Sequence, residues 1–403
     1  MFSFRYSELL NARNLLISTC GLLQKKKTVF LTKNFHDCYL VLKNSHIKGL
    51  FIEQFVACPA WSPVLSIEST DGDLWKQLQR RFKTTFTQLS WEEKIPKLIK
   101  KYIKKTLLKT KDINNTFIRE IICQTMFEVL FHIEPTQEQI QLFCSASMEW
   151  SKEIAMRGSR NPQLKKEFWQ ELSLLVSFHY PEMKSMNTKE RMIFISSLAQ
   201  PFILSPMINF SDIYASFSFQ IEKSPQWGSW LQKQVANNQS MNILHFMLEC
   251  IRIHHPFPIF EREMIKDLSI SDQTLKKGTQ VFILLDSFSM EKDIHLKYWE
   301  NQDKNIMKSF IFGSGARSCL GQKLAESILV EMTKNLVLEN IPLTKLQSGL
   351  SFSGRLNDHQ TIPGETLYQT KKAVNLLKSS YAVGKGEKVQ CPFHTAQSDL
   401  QSF

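Results

Sequence analysis

Residues 312–321 read FGSGARSCLG and place one cysteine, Cys319, immediately before a segment with helical spacing of its apolar residues, 322–332. A thiolate at the start of a helix is stabilised by backbone amides and by the positive end of the helix dipole. This geometry suits a cysteine that ligates a metal. A purely structural cysteine is the alternative, since free cysteines are commonly buried and inert.

The other residues of the loop favour the metal-ligand interpretation. Glycine at Gly313, Gly315 and Gly321 allows the backbone to pass close to a bulky group or to adopt a positive φ angle. Arg317, two residues before the cysteine, presents a planar fork of donors that suits a carboxylate. A structural cysteine needs neither the arginine nor the three glycines.

These residues resemble the cysteine loop of the cytochrome P450 family, the haem-thiolate oxygenases. That loop reads F-G-x-G-x-R-x-C-x-G before a helix carrying Leu-Ala, and each fixed position is met, including Leu324 and Ala325. The resemblance implies haem b as the cofactor and Cys319 as the proximal ligand of its iron. It assigns the following loop residues to cofactor binding: Phe312, Gly313, Gly315, Arg317, Cys319 and Gly321.

The resemblance also implies the fold, which is mainly α-helical with small β-sheets and holds the haem between the cysteine-ligand helix and a long central helix. We expect one haem domain over residues 1–383 and a polar, flexible tail over 384–403. The tail contains Cys391 and Pro392, and such a pair can serve as an exposed haem-responsive ligand. A tail segment without that role is the favoured interpretation, because a half-site supplies too few metal ligands.

Glu249 and Arg252 form a second motif. A spacing of three puts the carboxylate and the guanidinium on one helical face, where a bidentate pair can form. The pair precedes a proline-rich exit, as the Glu-x-x-Arg pair of the family does, which implies a structural lock on the cysteine loop. The family completes this lock with an arginine in the segment before the cysteine loop, where this chain offers Asn301 or Lys304 instead.

Further residues are assigned to the haem propionates by resemblance. Arg262 matches a family arginine that holds a propionate. Trp75 lies on a predicted helix over 71–82 that resembles the family's C-helix, but the arginine expected four residues later is replaced by Gln79. Arg80 follows, and an offset of one residue turns its side chain by about 100° around the helix.

Residues 194–224 resemble the central helix of the family, and Ser224 and Pro225 set its register. Counting back places residues 205–209, Ser-Pro-Met-Ile-Asn, where the family carries an acid followed by threonine, the pair that delivers protons to dioxygen. Neither residue stands in register. Asn209 can still hydrogen-bond to dioxygen or water, and Asp212 is a candidate for a displaced acid, with a solvent or capping role as the alternative. Pro206 is expected to distort the helix.

Composition limits the class of protein and its partners. The chain has 403 residues, of which 43% are hydrophobic and 22% charged, and a net charge of +12. The positive charge predicts an acidic partner, and the resemblance favours a ferredoxin or flavodoxin-type electron donor; no nucleic-acid-binding module is recognisable. A lysine-rich run such as that over 97–111 is most often a solvated helix face.

Cysteine usage and the amino terminus bear on localisation. The eight cysteines are scattered without paired spacing, which favours the reducing cytoplasm. The longest uncharged stretch near the amino terminus, residues 14–24, is too short to span a bilayer, so we expect an amphipathic helix and no transmembrane segment.

The sequence therefore predicts a monooxygenase that inserts one oxygen atom of O2 into a hydrophobic small molecule, with electrons from a separate redox partner. Two alternatives remain open. The missing acid and threonine favour a haem-thiolate peroxygenase, isomerase or dehydratase that does not use O2. The incomplete lock and the Cys391-Pro392 pair favour a non-catalytic haem-binding sensor or interaction protein.

Overall fold

The structure, a computed structural model, describes residues 27–31, 34–49, 64–68, 70–110, 113–154, 161–253, 255–256, 259–285, 293–299 and 304–346. The expected amino-terminal helix and the tail with Cys391 and Pro392 lie outside these residues. The expected division into a haem domain and a tail remains a prediction.

The described chain is mainly helical. Its α-helices are α1 (Phe35–Asn44), α2 (Gly72–Gln88), α3 (Trp91–Lys109), α4 (Asn115–Phe131), α5 (Gln137–Ile154), α6 (Pro162–His179), α7 (Thr188–Leu198), α8 (Ser205–Lys223), α9 (Gln226–Ala236), α10 (Ser240–Ile253), α11 (Lys304–Phe312) and α12 (Gln322–Leu338). Its strands are β1 (Thr28–Leu31), β2 (Ile259–Glu263), β3 (Leu268–Ile270), β4 (Gln273–Leu275) and β5 (Gln280–Leu284).

The strands form two small sheets. In the larger one β5 lies in the middle, parallel to β1 and antiparallel to β2, and Arg262 of β2 stands opposite Val281. The smaller sheet is the antiparallel pair β3 and β4. Because β1 and β5 are far apart in sequence, this sheet joins the start of the described chain to the region that precedes the cysteine loop.

The central helix runs from α7 to α8 through a π-helical segment, Ala199–Leu204. It starts at Asn187, whose side chain and that of Glu190 form a capping box, and it ends at Ser224. The predicted end at Ser224 is therefore observed. The helix is the core of the molecule, because α8 is buried along most of its length and packs against α4, α5 and α10.

The two prolines of the central helix explain the π-helical segment. Pro201 and Pro206 have no backbone N–H, so each leaves a carbonyl one turn earlier without its helical donor. The backbone N–H of Ser205 donates to the carbonyl of Gln200, five residues back, which is the π-helical spacing. The predicted distortion at Pro206 is present, and it lies in the turn that precedes this proline.

The lysine-rich helix α3 is partly neutralised within the protein. Lys101 pairs with Glu128 and Glu134, both at 2.7 Å, and Lys104 lies 3.5 Å from Glu339. Lys97 and Lys100 are exposed. Only part of the positive charge of this run therefore faces the solvent.

Within the described residues, one helical stretch, Thr188–Lys223, is long and apolar enough to cross a membrane by composition. In its most apolar window, 78% is buried inside the protein, as in the core helix of a soluble protein. The stretch is therefore weak evidence for a membrane span.

Candidate functional site

A cavity of about 230 Å³ separates the central helix from the cysteine loop. The helix contributes the π-helical segment and the first two turns of α8, and the opposite wall consists of the loop and the start of α12. Helix α2 and strand β2 line its sides. Most of the lining is apolar, and rings from two sides, Phe82 and Phe202, stack with centroids 4.7 Å apart.

Cys319 lines this cavity at the point where the loop ends. Its backbone N–H donates to the carbonyl of Phe312 at 2.6 Å, which closes the loop, and α12 begins three residues later. The side chain has accessible surface, and because Cys319 lines the cavity that surface lies within the fold. The predicted delivery of one cysteine to the start of a helix is therefore observed.

Burial raises the pKa of the Cys319 thiol to about 12, with Glu68 as a further cause. A hydrogen bond from the backbone N–H of Gly321 acts in the opposite direction but is the smaller effect. The helix start alone therefore does not produce a thiolate at neutral pH. A coordinated metal cation would favour the anionic sulfur.

The three loop glycines have different roles. Gly313 and Gly315 have φ angles of +71° and +67°, and a Cβ on Gly315 would lie 2.9 Å from the carbonyl oxygen of Leu42. These two glycines therefore permit the turn and its close packing on α1. Gly321 has an ordinary φ of −92°, and the space where its Cβ would be is open.

Arg317 is held by protein oxygens. Its guanidinium donates to the backbone carbonyls of His46, Ile67 and Thr70 and to the carboxylate of Asp71, and it lies 4.4 Å from the ring centroid of Trp75. The planar guanidinium of Arg317 predicted a carboxylate partner. The structure supplies one, and it is the side chain of Asp71 of the same protein. Asp71 also accepts hydrogen bonds from the backbone amides of residues 48 and 49.

Arg262 is the second guanidinium in the cavity wall. It is 3% exposed, and its Nη1 donates to the backbone carbonyl of Glu261 at 2.7 Å. Its Nε is buried and has no hydrogen-bond partner within the described residues. Burial and the neighbouring charge of Arg317 lower the pKa of Arg262 to about 10. This end of the cavity therefore offers a buried donor suited to an anion.

Helix α2 places its predicted residues on two different faces. Trp75 is buried and lines the cavity; it contacts the Arg317 guanidinium and stacks with the His46 ring, whose centroid is 5.9 Å away. Gln79 also lines the cavity and donates to the carbonyl of Ala316 at 2.9 Å. Arg80 is exposed and does not line the cavity, because the offset of one residue turns it toward solvent. Its predicted contact with a propionate is not supported by this arrangement.

The Glu249–Arg252 pair is buried and complete. Arg252 donates through Nε and Nη2 to the two carboxylate oxygens of Glu249, both at 2.9 Å. The carboxylate also accepts hydrogen bonds from the Trp299 indole at 2.9 Å and from the backbone N–H of His295 at 2.7 Å. Arg252 in turn donates to the carbonyl of residue 293 at 2.8 Å.

Trp299, together with backbone groups, therefore takes the place of the missing arginine. Of the predicted substitutes, Lys304 is exposed and does not have this role, and Asn301 lies outside the described residues. Sequence reasoning missed Trp299 because the family pattern has an arginine in this segment, whereas an indole N–H can also donate a hydrogen bond to a buried carboxylate.

Asn209 and Asp212 both lie on the central helix, but only Asn209 lines the cavity. Asn209 is half-buried and lines the cavity, as predicted. Asp212 is buried but does not line the cavity, and its charge acts on the buried guanidinium of Arg119 on α4. A helical spacing of three was not sufficient to bring it to the cavity. The structure supports neither a displaced acid nor a solvent or capping role for Asp212.

Two cavity residues were missed by the sequence analysis. Gln200 lies in the π-helical segment and donates through Nε2 to the hydroxyl oxygen of Ser205 at 2.7 Å. Both residues line the cavity. The signal that was available is the pair Pro201 and Pro206, which predicts a local change of helical spacing.

Comparisons with known proteins agree with this geometry. The family model for cytochrome P450 matches residues 233–340, a segment that contains both the Glu249–Arg252 pair and the Cys319 loop.

The chain is similar to the cytochrome P450 family over this segment.

A curated relative is the beta-amyrin 16-alpha-hydroxylase of Maesa lanceolata, which is 29% identical over 24% of this chain. The match spans 22% of that enzyme's length.

Solved structures extend the cytochrome P450 likeness to most of the fold. A 6-coordinated cytochrome P450 from Thermus thermophilus has a TM-score of 0.58 at 14% identity, covering 77% of this chain and 84% of its own. The mycinamicin VIII C21 methyl hydroxylase of Micromonospora griseorubida has a TM-score of 0.56 at 16% identity, covering 79% and 84%. The predicted fold, mainly α-helical with small β-sheets, is confirmed.

The residues of the cavity fit a haem on three observations. The Cys319 side chain lines the cavity and is free of any disulfide. The unpartnered Nε of Arg262 offers a buried donor to a carboxylate such as a propionate. The open space beside Gly321 leaves room for a bulky planar group near the sulfur.

Proposed function

We propose that the protein is a haem-thiolate monooxygenase that inserts one oxygen atom of O2 into a hydrophobic small molecule. The single observation that carries the proposal is the position of Cys319, at the start of α12 and in the wall of an apolar cavity under the central helix. Hydroxylation or epoxidation of a C–H or C=C group is the reaction we infer. The curated relative, a hydroxylase, supports this reaction class.

Each side of the cavity has its own task in this proposal. Cys319 would hold the iron of haem b, and Arg262 would bind a propionate with the help of Trp75 and Arg317 at the same end. The haem, when bound, supplies the redox chemistry that activates dioxygen. Phe82, Phe202 and the rest of the apolar wall exclude water and favour a hydrophobic substrate.

The partner we propose is an acidic electron-transfer protein of the ferredoxin or flavodoxin type. The net charge of +12 and the exposed lysines of α3, Lys97 and Lys100, support an acidic partner. We propose a cytoplasmic location, which scattered cysteines favour. The cysteines of the described residues are all free, namely Cys38, Cys123, Cys144, Cys250 and Cys319.

The test is the carbon monoxide difference spectrum of the reduced, haem-loaded protein beside its Cys319→Ala variant. We expect a red-shifted Soret band in the wild type that is absent from the variant. The matched control is Cys250→Ala, a buried cysteine outside the cavity, which should retain the band. A folded, haem-loaded wild type without the red-shifted band would overturn thiolate ligation.

A second candidate function is a haem-thiolate peroxygenase, isomerase or dehydratase. It is favoured by the position of Asp212 outside the cavity lining, because no carboxylate of α8 then lines the described cavity. Side-by-side assays with peroxide and with dioxygen plus an electron donor separate the two functions. Turnover with peroxide alone supports the second candidate, and turnover with dioxygen and electrons supports the first.

The sensor hypothesis loses one of its two reasons. The first reason was that the sequence offered too few partners for Glu249. Trp299 and a backbone N–H donate to this carboxylate and complete its set of partners. The other reason, Cys391 with Pro392, lies outside the described residues. We therefore give the enzymatic functions priority.

A further inference from the structure

A short strip of polar side chains lies on the cavity wall that the central helix forms, and the rest of this wall is apolar. It consists of Gln200, Ser205 and Asn209, which all line the cavity and follow one another along the central helix. In a regular α-helix, Gln200 and Ser205 would point about 140° apart. The π-helical segment brings residues five apart over one another, and Asn209 follows Ser205 by one ordinary turn.

The hydrogen bonds within the strip leave one donor, on Ser205, and one acceptor, on Gln200, unused. The amide Nε2 of Gln200 donates to the hydroxyl oxygen of Ser205 at 2.7 Å, so the Ser205 hydroxyl hydrogen is free to donate elsewhere. The amide oxygen of Gln200 is buried and has no hydrogen-bond partner within the described residues. Gln200 itself is 4% exposed.

A buried amide oxygen without a donor is energetically costly. The missing partner must reach the wall of an apolar cavity, donate one hydrogen bond to Gln200 Oε1, and accept one from the Ser205 hydroxyl. An alcohol O–H has this combination of donor and acceptor on a single oxygen. An apolar C–H surface has neither.

We infer that Gln200 and Ser205 bind a hydroxyl group of the substrate, so that the substrate class is a hydrophobic alcohol. This inference rests on the proposed function, because it concerns the substrate of the same cavity. Gln200 accepts from the hydroxyl and Ser205 donates to it, while the apolar wall takes the hydrocarbon part. The oxygen already present on the substrate would thereby orient the molecule in the cavity.

The test compares two probes of the same shape, adamantanol and adamantane, with equilibrium binding as the readout. Binding to the haem-loaded protein is followed by the spin-state change of the Soret band and by calorimetry, without turnover. The measured quantity is the ratio of the two affinities, alcohol over hydrocarbon. We expect this ratio to fall about fivefold to tenfold in Ser205→Ala and in Gln200→Leu, because each removes one of the two hydrogen bonds.

The control is Ser218→Ala, a buried serine on the same helix that does not line the cavity, which should leave the ratio unchanged. A ratio that is the same in the wild type and in both cavity variants would overturn the inference, as would a wild type that fails to bind the alcohol. In that case water occupies the strip. The carbon monoxide spectrum of the same samples separates this failure from failure of the proposed function, which would remove the red-shifted band in the wild type as well.

Discussion

The indole Nε1 of Trp299 donates a 2.9 Å hydrogen bond to Oε1 of Glu249, an oxygen that also accepts from Arg252 Nε. The carboxylate is fully buried, and the Arg252 side chain is 2% exposed. Such a pair is stable only when the remaining hydrogen-bonding capacity is satisfied. Trp299 thus links the segment before the cysteine loop to α10.

Replacing Glu249 by Gln should destabilise the protein by about 3–5 kcal/mol, because it leaves the buried Arg252 charge without a counter-charge. The measurement is the free energy of unfolding in denaturant. Asp267→Asn is the control, since Asp267 and Lys276 form an exposed pair whose loss should have a much smaller effect on the free energy of unfolding. Equal effects of the two substitutions would contradict a buried lock.

Replacing Trp299 by Phe should cost less, about 1–3 kcal/mol. The change removes one hydrogen bond while Glu249 keeps those from Arg252 and from the His295 amide. The same unfolding experiment measures it. A loss as large as that of Glu249→Gln would mean that packing of the indole, and not its N–H, is decisive.

Replacing Arg262 by Met should accelerate haem loss by about tenfold or more, because a buried charge-assisted hydrogen bond is removed. The rate is measured by transfer of haem to a haem-scavenging apoprotein. The matched variant is Arg80→Met, which changes an exposed arginine outside the cavity and should leave the rate unchanged. Faster loss from Arg80→Met would restore the propionate contact predicted from the sequence.

Gly315→Ala should change the stability of the protein, whereas Gly321→Ala should change its binding of haem. At Gly315 the new Cβ would lie 2.9 Å from the Leu42 carbonyl oxygen at a φ of +67°, so we expect about 1–3 kcal/mol of destabilisation. The space beside Gly321 is open, so the haem-free Gly321→Ala protein should have the same free energy of unfolding as the haem-free wild type. If haem fills that space, the Gly321 variant should instead bind haem more weakly. A stable Gly315→Ala protein would refute the packing of the loop on α1.

Glu134 provides a test by pH. Hydrogen bonds from Lys101 and Lys105 lower the pKa of Glu134 from 4.5 to about 2. A lowered pKa in the folded state stabilises the protein above pH 4.5, and the contribution disappears as the pH falls toward 2. Glu134→Gln should therefore cost under about 1 kcal/mol at about pH 6, given the exposure of the carboxylate, and less at about pH 3. An effect that grows toward low pH would contradict this ion pair.

The motifs predicted from sequence are those whose residues are close together along the chain. The loop around Cys319 and the Glu249–Arg252 pair depend on local spacing, which helix geometry fixes. The end of the central helix at Ser224 likewise follows from a local pattern.

The remaining site residues depend on packing between distant segments. Asp212 has the right helical spacing but does not line the cavity, and its charge acts on the buried guanidinium of Arg119 on α4. Gln200 reaches the cavity only because two prolines change the pitch of the helix. Arg317 carries the fork that the motif predicts, yet its carboxylate partner, Asp71, is 246 positions away and has no sequence signal of its own.

The contacts of Arg317 also bear on how the molecule assembles. Its guanidinium donates to the carbonyls of His46, Ile67 and Thr70, which precede Arg317 in the sequence by 271, 250 and 247 positions. Closing such long loops is slow, because the entropy of the intervening chain is lost before the contacts form. The thiol-bearing turn should therefore acquire its final shape late in folding. An isolated fragment restricted to residues 233–340 would lack the carbonyl cradle that fixes the turn.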